Sequence, residues 1–95
     1  MRRRYELVTT TAFRREYKKL IKRNYDMNLL EEVVELLLQG ETLPEKNNDH
    51  ALIGDWKGYR ECHIEPDWLL IYRIYDERLV LSLVRTGTNS DLDLE

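Results

Sequence analysis

With 95 residues, 42% of them apolar and 35% charged, the chain has the make-up of one globular domain, residues 1–95, around a single core. No apolar run nears the roughly 18 residues that a bilayer span requires. The basic start "MRRRYELVTTTAF" also lacks the apolar stretch of a signal peptide, so a cytoplasmic protein without membrane contact is expected. The lone Cys62 suits a reducing compartment and cannot form an internal disulfide. Net charge −3 conceals a division: residues 1–23 carry nine Lys/Arg against Glu6 and Glu16, or +7, which leaves −10 for the remaining 72. Such asymmetry fits either a cationic face that meets a polyanion or acidic partner, or a merely solvated helix face.

In chain order, "YELVTT" (5–10) alternates as a first strand would, and its Thr residues can cap a helix directly after it. Phe13, Tyr17, Leu20 and Ile21 then form one helical stripe, with basic residues on the other sides. Asn24 and Asp26 mark a break, Asp26 being a natural N-cap. Met27, Leu30, Val33, Val34 and Leu37 make a second stripe, with Glu31, Glu32 and Glu35 outward and Gly40 and Pro44 as the stop.

Four strands are expected after that: "HALIGDW" (50–56), "YRECHIE" (59–65), "WLLIYRI" (68–74) and "RLVLSLVR" (78–85). Alternation in the second places Arg60, Cys62 and Ile64 on one face and Tyr59, Glu61, His63 and Glu65 on the other. Pro66 and Asp67 suit a tight turn. The expected fold is α+β, two N-terminal helices packed on a small twisted antiparallel sheet in the order β-α-α-β-β-β-β.

The chemistry that these residues can support is limited. His50 and His63 are the only histidines, Cys62 and His63 point to opposite faces, and no pair has metal-ligand spacing, so no metal or other cofactor is expected. Acid–base chemistry is the stronger option, because imidazole titrates near pH 6.5. Glu61, His63 and Glu65 share a strand face, Asp67 follows at the turn, and Arg85 closes the last strand beside "RTG". Equally, a lone strand histidine can be plain surface. Trp56 and Trp68 can each stack on an unpaired base or fill core space.

The strings "DHALIGDWKGYRECHIEPDWLLIYRI" and "LVRTGTNSDL", with the basic first helix and the "YDMNLL" start of the second, closely resemble the YafQ-like branch of the RelE toxin family. That resemblance covers nearly the whole chain. It implies two helices on an antiparallel sheet, and the activity of a type II toxin that enters the 70S ribosome's A site and cuts mRNA without a metal. In that chemistry the ribose 2′-OH attacks the adjacent phosphate, leaving a cyclic phosphate and a free 5′-OH. A cognate antitoxin of the RelB/DinJ type is implied as partner, with operator DNA reached only through it.

Matched by position, His50, His63 and Asp67 resemble members of the family's catalytic group, and Arg85 its phosphate-binding arginine, able to grip two oxygens at once. Arg14, Arg15, Lys18, Lys19, Lys22, Arg23, Arg60 and Trp68 are the implied RNA and ribosome contacts. One family position departs: where a catalytic histidine is the rule, this chain has Asn89, which can hydrogen-bond a phosphate but cannot exchange a proton near pH 7. Asp93 stands where an aromatic is expected, and Leu94-Glu95 has the form of a vector scar. Three explanations compete: a weakened natural toxin, a deliberately attenuated form, or a homologue that has lost cleavage and retains antitoxin binding and co-repression.

Overall fold

The computed structural model describes residues 4–92, so Arg2 and Arg3 of the basic start, and Asp93, Leu94 and Glu95, lie outside the described residues. Strand β1 (Glu6–Thr9) leads into helix α1 (Thr11–Lys22), and helix α2 (Met27–Leu38) follows after a short break. Both helix starts are capped as their sequences suggest: Thr10 accepts from the Phe13 amide, and Asp26 accepts from the Asn28 amide. Gly40, at φ 72°, ends α2 in the left-handed region that glycine tolerates best.

Strands β2 (His50–Ala51), β3 (Arg60–Glu65), β4 (Trp68–Tyr75) and β5 (Val80–Gly87) complete one five-stranded sheet in the order β1-β5-β4-β3-β2. The β2–β3–β4–β5 pairs are antiparallel, as expected, whereas β1 pairs with β5 in parallel, so the sheet is mixed. The difference has a simple cause. Alternation marks a strand but not its direction, and two helices separate β1 from the rest, giving the chain room for the crossover that a parallel neighbour needs.

Two other expectations change. Of residues 50–56, only His50 and Ala51 pair; Gly54 (φ 66°) opens a 3₁₀ turn over Gly54–Trp56, and the segment folds back so that the Leu52 amide donates to the Tyr59 carbonyl. A short helix α3 (Asn89–Leu92), too brief to show a period, closes the described chain.

One face of the sheet carries both helices. Phe13 and Leu20 of α1 and Leu30, Val33, Leu37 and Leu38 of α2 pack with Cys62, Ile64, Trp68, Leu70, Tyr72, Leu81 and Leu83. Tyr17 joins at the margin, but Ile21 is half-exposed and leaves the stripe assigned to it. On the opposite face Leu69, Ile71 and Leu92 form a small second cluster, roofed by Leu52, Trp56, Tyr59 and Val84.

Candidate active site

The sheet register assembles the polar residues. His50 pairs with Glu61, Glu61 with Ile71, and Ile71 with Arg85, so these four stand on one line across β2, β3, β4 and β5. The next line runs His63, Leu69, Gly87. Both lines lie on the face without the two long helices, with Leu69 and Ile71 as a buried apolar floor.

The two imidazoles sit with ring centroids 6.4 Å apart, tilted by 36°. His50 Nδ1 lies 2.7 Å from the Asn48 carbonyl, and its Nε2 lies 3.3 Å from Glu61 Oε1. A carbonyl only accepts, so Nδ1 carries the proton, and Nε2 can donate to Glu61 only in the imidazolium form. His63 differs. Its Nδ1 donates to the Pro66 carbonyl at 3.1 Å, leaving Nε2 as a lone pair in the neutral ring.

Asp67 and Asn89 meet although 22 residues separate them: Asp67 Oδ1 accepts from the Asn89 side-chain amide at 3.0 Å and from its backbone N–H at 3.3 Å. Gly87 delivers Asn89 to this point. At φ 154° it is buried, and a Cβ there would lie 3.0 Å from Asp91 Cβ. Asp91 in turn accepts from the Thr88 amide and pairs with Arg23 at 2.7 Å.

Arg85 is partly engaged already. Its Nε and Nη2 both donate to Glu16 of α1, at 2.6–3.0 Å, and Glu16 also accepts from the Thr86 amide. The fork that would meet a phosphate side-on is therefore filled, and the Glu16 partnership holds Arg85 positively charged. Both Nη1 hydrogens and the second Nη2 hydrogen remain among these contacts, so the end-on fork is open to substrate oxygens.

Two of the expected RNA contacts, Trp68 and Arg60, are elsewhere, while Arg14 and Arg23 are exposed at α1 but engaged within the chain. Trp68 is buried, its indole N–H donating to Thr86 Oγ1, so it is a core residue beneath the site. Arg60 lies on the helix-side face, where it pairs with Asp49 at 3.1 Å; Asp49 also accepts from the Tyr72 hydroxyl. Arg14 donates to Thr9 and Thr11, and Arg23 is held by Asp91. Arg15, Lys18, Lys19 and Lys22 stand exposed along α1.

Glu16, Asp91 and Arg73, which structure this face, carry no signal in the sequence. Glu16 and Arg85 are 69 positions apart, and Arg73 hides inside an apolar run. Among the described residues, no three His, Cys, Asp or Glu side chains gather to hold a metal ion, and no helix is long and apolar enough to cross a membrane.

Residues 5–94 match the family described as bacterial toxin of type II toxin-antitoxin system, YafQ. The mRNA interferase toxin YafQ of Escherichia coli K12 is 43% identical over 81 residues, 84% of this chain and 86% of that one. A chain of the crystal structure of the E. coli DinJ-YafQ toxin-antitoxin complex superposes with a TM-score of 0.86 at 39% identity, covering 94% of this chain and 97% of that one. A metal-bound toxin from Helicobacter pylori superposes with a TM-score of 0.85 at 39% identity, over 97% and 99%. This chain belongs to the YafQ toxin family.

Proposed function

We propose that the 95 residues form one toxin domain that cuts mRNA in the ribosomal A site, and that a cognate antitoxin blocks it and carries it to operator DNA. The observation that carries this reading is the pair of imidazoles 6.4 Å apart, each with Nδ1 tied to a backbone carbonyl. Antitoxin binding is supported by the relative that forms a complex with DinJ.

The tautomers divide the labour. His63 Nε2, a free lone pair, takes the 2′-OH proton as O2′ attacks phosphorus. His50, as imidazolium, gives its Nε2 proton to the leaving O5′. One O–P bond forms and one breaks, leaving a 2′,3′-cyclic phosphate and a 5′-OH, with one proton accepted and one donated. Arg85 Nη1 stabilises the phosphorane's charge. Asn89, steadied by Asp67, supplies a hydrogen bond to a phosphate oxygen but no proton. The ribosome orients the message, so this shallow face need not grip it tightly, while Arg15, Lys18, Lys19 and Lys22 meet ribosomal RNA.

The test is the chain added to translating ribosomes. Cuts within codons, bearing 2′,3′-cyclic phosphate ends, are expected, insensitive to EDTA once the ribosomes' own magnesium is maintained. Asn89→His should raise the rate sharply, because Asp67 would then orient an imidazole at that place; no increase sinks this placement of the site. A second reading, an antitoxin-binding co-repressor without cleavage, is favoured by the Asn89–Asp67 bond and the Glu16-filled Arg85 fork. It wins if neither the chain nor the Asn89→His variant cuts RNA while antitoxin still binds.

A further inference from the structure

Arg4, Arg23, Arg60 and Arg85 each grip a carboxylate. Arg73 grips none among the described residues, yet it is held in place. Its guanidinium carbon lies 5.0 Å from the ring centroids of both Tyr59 and Tyr75, and a Cβ on Gly58 would come within 3.4 Å of it. Gly58 itself has φ 97°, a conformation that glycine tolerates best, and it sets the chain in van der Waals reach of the cation. Arg73 is half-buried, so ordering it between two rings removes much of its rotamer freedom before any ligand arrives.

Arg73 stands two residues beyond Ile71 on β4 and so points to the same open face, about 7 Å along the strand from the line that carries His50, Glu61 and Arg85. That step is comparable to one nucleotide of an extended single strand. Trp56 packs edge-on against Tyr59 at 5.3 Å, and Arg78 lies over Tyr75 at 5.9 Å, so both rings of the clamp are themselves supported. A rigid guanidinium with unused donors suits a phosphodiester, whose charge it meets without rearrangement.

We infer that Arg73, clamped by Tyr59 and Tyr75, is a binding subsite for a phosphate of the cut RNA strand that flanks the scissile one. The inference rests on the proposed function and specifies where the message runs across the site.

The experiment measures affinity for ribosomes programmed with a message made uncleavable by a 2′-O-methyl group at the cut, with flanking phosphates replaced one at a time by neutral methylphosphonates. In the natural chain, one such replacement should weaken binding about tenfold, as loss of a charge-assisted hydrogen bond would. In Arg73→Gln the same replacement should cost nothing further, while Arg73→Lys should keep part of the sensitivity by keeping the charge. His63→Gln should leave the sensitivity intact. Persistence of the full phosphate effect in Arg73→Gln overturns the subsite, as does a natural chain indifferent to every flanking replacement. Equal weakening of Arg73→Gln on vacant ribosomes overturns it in favour of a ribosomal RNA contact. If the chain cuts no message and yet shows the Arg73-dependent phosphate effect, the subsite stands and the cleavage reading falls. Unfolding midpoints of the variants guard against a folding defect.

Discussion

The two faces of this sheet are built from the same strands and do opposite things. On the helix side, Cys62, Trp68, Leu70 and Tyr72 are 0–1% exposed. Burial pushes the Cys62 thiol up to about 12, with Asp49 and Glu61 adding to the effect, and leaves it inert. One residue further along β3, His63 is half-buried and keeps a ring nitrogen for chemistry. Strand alternation therefore sorts stability from function at single-residue resolution, and the bland apolar side provides the rigid floor on which polar groups can be placed.

The contrast can be broken most forcefully from the open side. His50→Gln and His63→Gln should each lower cleavage on programmed ribosomes by about 10²–10⁴, the usual worth of a general acid or base. Their unfolding midpoints should scarcely move, since both rings are half-buried and neither belongs to the apolar clusters. A large loss of stability in either variant would mean that these rings are structural.

Leu70→Ala attacks the other side. It should cost about 2–5 kcal/mol in urea unfolding, the range for emptying a buried leucine site, while protein that remains folded cuts at the original rate. Thr86→Val sharpens the boundary between the faces. Its hydroxyl accepts from the Trp68 indole and donates to the Leu69 carbonyl, both buried. Removing it should cost about 1–3 kcal/mol, because two polar groups lose their partner while the shape is kept. A neutral result would show that these two buried bonds add nothing net to stability.

Much of this is legible in the residues alone, for physical reasons. The alternation of "YRECHIE" separates Cys62 from His63 because the side-chain period of a strand is two, and the caps at Thr10 and Asp26 arise from local hydrogen bonding. What local pattern cannot carry is pairing at a distance. The parallel docking of β1 and the capture of Arg85 by Glu16 depend on contacts between chain ends. Trp68 is ambiguous in sequence because an indole suits either a base or a core; its N–H partner Thr86 becomes visible only once β4 and β5 are paired. Arg73 is inconspicuous there because, inside an apolar run, one charge reads as a strand's exposed end. The face, rather than the sequence neighbourhood, makes it notable.

The smallest expected effect concerns the clasp that brings Asn89 to Asp67. Asp91 is held down to about 2, chiefly by the Arg23 guanidinium and, after the opposing effect of burial, by the Thr88 amide. An unfolded aspartate titrates near 3.9. Because the folded value lies below the unfolded one, the clasp contributes its stability fully above about pH 4 and loses it as pH falls through about 2. The pair is partly solvated, so salt should also weaken it. Acid titration followed at the Thr88 amide by NMR should show a transition near pH 2 that disappears in Asp91→Asn. That variant should already display faster amide exchange at Thr88 and Leu92 at neutral pH, whereas amides of β4 on the helix side stay protected. If acid instead loosened β4 and α3 together, the small apolar cluster of Leu69, Ile71 and Leu92, rather than the ion pair, would be what holds α3 in place.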